Sequence, residues 1–236
     1  MRKIDKKCDL STVYKTWEEE LEVSRQPHPK FTLKKVRKEF YMDVKMQLLK
    51  SQNGLCAYTE QYLCSRKLLS NQHWVDGKYI GRADEVKGGT IDHFNEKLKS
   101  KQQEEKGRQD WLWDNLFFVN SDVNRLKGTK EVDEILKPDA QSYSPFALLK
   151  YDLKEHSFAP KRGLPEAIYD RVQNMIEVLQ LNLVNHLRED ILSEKLNQIF
   201  LEERTWDTVK VIAFPTAFQM IRNEFEGNEM ALIEFL

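Results

Sequence analysis

The sequence is short of cysteine: Cys8, Cys56 and Cys64 are the only three in 236 residues. Three thiols cannot complete a paired disulfide framework, and they fall one short of a four-cysteine zinc site. Long apolar runs are missing too. No stretch approaches the roughly 18 uninterrupted apolar residues of a membrane-crossing helix, and the opening MRKIDKKCDL lacks the apolar core of a signal peptide. A cytoplasmic protein with reduced thiols and no membrane partner is therefore expected. There is no GxxxxGK[ST] phosphate loop, so any nucleotide-driven step would have to come from another chain. Net charge is nearly absent as well, with 37 Lys and Arg against 38 Asp and Glu.

What is present is unevenly placed. Residues 1–163 hold 31 basic and 25 acidic side chains, whereas residues 164–236 hold 6 basic and 13 acidic. Such polarity hints at a nucleic-acid or acidic-ligand surface toward one end and a different partner toward the other. The hydrophobic fraction of 40% and aromatic fraction of 11% exclude wholesale disorder, and the length suffices for one large domain or two small ones.

Periodicity divides the chain into three parts. In 31–52, Val36, Phe40, Val44, Met46 and Leu48 fall at roughly helical spacing, and Asn53-Gly54 suits a helix end. The same stretch carries Lys34, Lys35, Arg37, Lys38, Lys45 and Lys50, which could track a phosphate backbone or simply form a solvated face. Residues 1–53 are read as an N-terminal helical region. From Leu55 to Leu136 the periodicity fades among Gly77, Gly81, Gly88 and Gly89, with a polar insertion, KLKSKQQEEKGRQD, at 97–110. Residues 131–163 read as a connector with one strand pair, LLKYDL and HSFAP. After Pro165, Ile168, Val172, Met175, Ile176, Leu179 and Leu183 recur at helical spacing, and two or three further helices follow, separated near Thr205 and Pro215. The expected fold class is α+β and mostly helical.

Two passages in the loop-rich middle can carry chemistry. In GGTIDHFNEK, at 88–97, Thr90-Ile91 leads as a strand into Asp92-His93. In WDNLFFVNSDVNRLKGT, at 113–129, a short strand from Leu116 to Val119 runs into a helix-compatible SDVNRLK. The order is strand, loop, strand, helix, and the polar residues able to converge are Asp92, His93, Asn115 and Asn124. Phosphodiester hydrolysis needs a base to deprotonate water and a divalent cation to neutralise the phosphate. A histidine suits the first task, and a carboxylate with an amide oxygen suits the second. Side chains alternate along a strand, so Asp92 and His93 diverge unless the strand ends or bulges there.

Asp92-His93, Asn115 and, nine residues later, Asn124 resemble the His-Asn-His (HNH) nuclease motif in its Asp-His…Asn…Asn form. DNLFFVNSDVNRLK is similar to a segment of the HNH domain of RNA-guided CRISPR nucleases. GLCAYTE at 54–60, IDHFNEK at 91–97, WDNLF at 113–117, VNRLKG at 123–128 and IEVLQLN at 176–182 together resemble the PtuB-like HNH endonucleases of Septu-type and retron-associated anti-phage systems. The resemblance implies a ββα-metal core within residues 54–163, flanked by the N-terminal helices and by an acidic helical region, 164–236, that docks a partner. It implies a metal-dependent endonuclease acting on DNA or tRNA. His93 would be the general base, Asn115 would orient it, and Asp92 and Asn124 would hold Mg2+ or Mn2+. Arg125 and Lys127 would contact phosphate. The implied partners are a PtuA-type ATPase and, in retron settings, a reverse transcriptase with its multicopy single-stranded DNA.

One feature departs from the pattern. Many relatives carry two Cys-x-x-Cys pairs forming a zinc knuckle, and here the four positions are Cys56, Thr59, Asn120 and Val123, so no structural zinc is expected. That loss supports an alternative, a non-catalytic adaptor that uses a degenerate HNH scaffold to bind an ATPase. Plainer readings stand beside each residue. Asp-Asn at 114–115 is turn chemistry, and Asn124 could be a solvent-facing helix residue. His28, His73, His156 and His186 read as structural or surface residues, and Cys64 as a buried thiol. Trp111, Trp113, Phe117 and Phe118 could stack on bases, although core packing is the stronger reading.

Overall fold

Asn53 and Gly54 turn the chain sharply just after the helix Lys35–Ser51, both at positive φ (55° and 79°). The computed structural model describes residues 1–6, 15, 35–82, 85–86, 88–99, 112–201 and 204–233, with 35–40, 99, 229 and 233 described by backbone alone. Among these residues the fold is α+β, with seven α-helices and three two-stranded antiparallel sheets. None of the helices is long and apolar enough to cross a membrane. The chain forms two compact units, each discontinuous in sequence: Ile4–Cys56 with Leu63–Val132, and Met1–Lys3 with Ala57–Tyr62 and Asp133–Leu236.

In the first unit, helix α1 (Lys35–Ser51) appears where the apolar spacing predicts it, with residues 31–34 outside the described set. It buries Val44, Met46, Leu48 and Leu49, each such side chain contributing roughly 1.5–3 kcal/mol by leaving water. Gly54 N–H donates to the Leu49 carbonyl, the six-residue closure of a Schellman end. The Gly54 carbonyl then accepts from both Leu63 and Cys64 N–H. A Cβ at Gly54 would stand 2.2 Å from the Cys64 oxygen, so glycine is required on two counts. Strands β1 (Trp74–Val75) and β2 (Lys78–Tyr79) form a tight hairpin over Asp76-Gly77, both at positive φ.

Strands β3 (Gly89–His93) and β4 (Leu116–Asn120) pair antiparallel in the register Ile91↔Phe118, Asp92↔Phe117, His93↔Leu116, and helix α2 (Ser121–Lys127) follows at once. Ile91, Leu116 and Phe118 join Leu48 and Leu49 in one core. Phe117 is equally buried, its ring 5.9 Å from that of Phe94. Gln52, just beyond α1, replaces a third strand beside β4. Its amide nitrogen donates to the Phe118 carbonyl at 2.7 Å and its amide oxygen accepts from Phe118 N–H at 2.9 Å. Buried backbone groups on β4 are thereby satisfied without another strand.

The second unit contains helix α3 (Pro145–Leu148), the expected strand pair as β5 (Leu149–Asp152) and β6 (Ser157–Pro160), and helices α4 (Glu166–Val178), α5 (Asn185–Phe200), α6 (Pro215–Phe225) and α7 (Glu229–Ile233). The apolar stripe after Pro165 forms α4, but the helix stops at Val178 because Gln180 turns to positive φ, and Leu183 is left outside it, 42% exposed. Segment 57–62 holds the start of α6. Glu60, itself buried, accepts from Thr216 N–H at 2.9 Å and from the Thr216 hydroxyl, placing a carboxylate on a helix N-terminus. Arg188 is wholly buried, donating to the His156 and Leu181 carbonyls and lying over the Phe158 ring.

Candidate active site

The site is built on the β3–β4 hairpin and the first turns of α2. Asp92 and His93 are the last two residues of β3 and both are paired with β4, so the strand ends after them and not between them. Antiparallel pairing sets them opposite Phe117 and Leu116, and the short step from Asn120 to Ser121 brings α2 back over the same sheet. Asn120 makes that reversal possible. Its side-chain oxygen accepts from Asp122 and Val123 N–H as the helix cap, while its own N–H donates to the Cys56 sulfur at 3.4 Å. Asn120 and Cys56 thus form a helix cap with a thiol acceptor. Val123 is wholly buried.

Asp92 is 1% exposed, and its Oδ1 accepts from the Lys127 ammonium at 3.0 Å. Lys127, expected at the phosphate, is buried: its ammonium also donates to the His93 carbonyl at 2.8 Å. Helical spacing accounts for this, because Asn124 and Lys127 lie three residues apart on one face of α2. That face meets β3, so the longer side chain reaches the strand beneath. Asn124 is partly buried, and its amide makes no side-chain hydrogen bond among the described residues. Arg125 points the other way. It is 69% exposed and pairs locally with Asp122 at 3.1 Å.

The His93 Nδ1 lies 3.7 Å from Glu96 Oε1, close enough for electrostatic orientation but too long for a hydrogen bond. The other ring nitrogen, Nε2, is buried. Asn115 acts one step further out. Its amide oxygen accepts from Asn95 N–H at 2.8 Å, its amide nitrogen reaches the Asn95 carbonyl at 3.4 Å, and its carbonyl accepts from Phe94 N–H at 2.7 Å. Asn115 therefore clamps the loop that leaves β3 directly after His93. Glu96 and Asn95 were not singled out in the sequence, yet both sit within three residues of His93, where a loop after a strand end must fold back.

Asp92, His93, Asn115 and Asn124 are thus all carried by one hairpin and its following helix. A carboxylate and an amide oxygen suit a hard, partly hydrated ion such as Mg2+. Among the described residues no cluster of three His, Cys, Asp or Glu side chains forms a fuller cage. The aromatic candidates Phe117 and Phe118 are completely buried and Trp113 is half-buried, its indole N–H donating to the Lys6 carbonyl, while Trp111 lies outside the described residues. Lys45 and Lys50 of α1 lie over the Phe118 and Trp74 rings. Burial pushes the Cys64 thiol up to about 11. No family model and no curated protein matches the sequence.

Proposed function

We propose that this chain is a metal-dependent endonuclease of the HNH class, with Asp92, His93, Asn115 and Asn124 forming its centre. The observation that carries this reading is the strand–strand–helix arrangement, in which Asp92-His93 ends one strand and Asn124 stands on the helix that the paired strand feeds. His93 Nε2 takes a proton from the attacking water, and Glu96 and the Asn115 clamp hold the ring and its loop in place. Asp92 and Asn124 would hold the divalent cation, which supplies charge neutralisation at the scissile phosphate. Arg125, exposed beside them, is the phosphate contact in this scheme. The Lys127 ammonium positions Asp92 from behind.

The biological setting follows from the resemblance in GLCAYTE, IDHFNEK and VNRLKG: an effector subunit of a bacterial anti-phage complex, partnered by a PtuA-type ATPase. The adaptor reading draws on one observation, that Lys127 already neutralises Asp92. A single experiment separates the two. The chain with its ATPase partner is incubated with DNA, total RNA and tRNA in magnesium, with and without nucleotide, beside the His93→Ala variant. The nuclease reading expects cleavage that His93→Ala abolishes while assembly persists. Cleavage surviving that substitution, or absent from every arm, overturns it.

A further inference from the structure

We propose that a cavity between the β5–β6 hairpin and helix α6 binds a nucleoside phosphate, an anion carrying a planar base. The cavity measures about 420 Å3, within the roughly 300–1,000 Å3 typical of small-ligand sites. Its charge is one-sided. Lys150 on β5 and Lys161 and Arg162 just after β6 line it, against Glu224 on α6. None of the three cations pairs with a carboxylate among the described residues. Lys161 is held in place by donating to the Phe146 carbonyl at 2.9 Å, with two ammonium hydrogens to spare. These cations, from the net-basic stretch 1–163, face a helix from the acidic stretch 164–236.

The remaining lining points to the base. Phe146 is 40% exposed and offers an aromatic face for stacking, and Met220 adds a polarisable wall. Asn223 Oδ1 accepts from Gln219 Nε2 at 2.8 Å, so the amide hydrogens of Asn223 are the donors left for a base edge. A bare phosphate would satisfy the cations and leave the Phe146–Met220 wall in water. A nucleoside phosphate uses both halves. The same chemistry could arrive as a free nucleotide or as an unstacked unit of a single strand.

The site is separate from the hairpin centre, and its test does not depend on cleavage. The full chain is titrated calorimetrically in EDTA with AMP, with inorganic phosphate and with a 5′-phosphorylated single-stranded oligodeoxyadenylate. The expected result is saturable binding of AMP or the oligonucleotide, at least about tenfold tighter than phosphate, weakened about tenfold by Lys150→Ala/Arg162→Ala. Lys154→Ala, an exposed cation on the same hairpin, leaves binding unchanged, and Phe146→Ala weakens AMP without altering phosphate. Preference for AMP identifies a free nucleotide, and preference for the oligonucleotide identifies a strand. No saturable binding of either, parity with phosphate, or indifference to the double substitution overturns the proposal. His93→Ala leaves this binding intact, so failure here and failure of the nuclease reading are distinct.

Discussion

The Lys127 ammonium sits 3.0 Å from Asp92 Oδ1 with both side chains fully buried, and the same nitrogen donates to the His93 carbonyl. This contact ties the end of β3 to α2, the two elements that carry the candidate ligands. Removing one member of a buried pair strands the other charge, which costs about 3–5 kcal/mol. Lys127→Met is therefore expected to destabilise the protein on that scale. Lys127→Met/Asp92→Asn should recover part of the loss, because no charge is then stranded. Urea denaturation of the two singles and the double measures the coupling, and additive effects would contradict it.

Asn115 should matter to the loop after His93 more than to the core. Asn115→Ala removes the acceptor of Asn95 N–H and the donor to its carbonyl, a loss of about 1–3 kcal/mol for part-buried groups. Asn115→Asp restores the acceptor alone. The expected order of stability is wild type, then Asp, then Ala, and in the nuclease reading kcat follows the same order while KM changes little. Equal stability for all three would count against the clamp.

Gln52 carries a comparable load at the sheet edge. Gln52→Ala leaves Phe118 N–H and carbonyl without their side-chain partner, again costing about 1–3 kcal/mol. Amide exchange at Phe118 should accelerate in this variant before global unfolding does. Unchanged protection at that amide would show the Gln52 bonds to be dispensable.

His156 supplies a pH dependence. Burial, and then the neighbouring Arg188, hold its imidazole below the usual histidine range. The unfolded chain, with an ordinary pKa of 6.5, takes up the proton first, so protonation favours unfolding. The stabilisation is present above about pH 6.5 and is lost as pH falls toward the depressed folded value. His156→Asn, whose side chain tolerates the positive φ of 46° at this position, should flatten the profile. Urea midpoints measured from about pH 7.5 to 5.5 provide the check, and a wild-type profile already flat would refute it.

Local structure was largely legible in the sequence. The Asn53-Gly54 helix end, the strands around Ile91 and Phe118, the SDVNRLK helix and the β5–β6 pair all follow from periodicity and turn chemistry over fewer than about twenty residues. The stripe ending at Leu183 misled, because Gln180 accepts a left-handed turn that an apolar count cannot register.

The sequence by itself determined that Thr90-Ile91 leads as a strand into Asp92-His93, that Asn124 follows on a helix, and that three cysteines cannot supply a four-cysteine zinc site. Only the tertiary structure decided that Lys127 faces inward to Asp92 rather than outward to solvent. A lysine on a short helix reads as exposed until the strand beneath it is known. Tertiary structure also decided that Glu60 of segment 57–62 caps α6 through Thr216, some 156 residues away. Hydrogen bonds between such distant residues leave no periodicity along the chain, because their geometry exists only once both elements have folded.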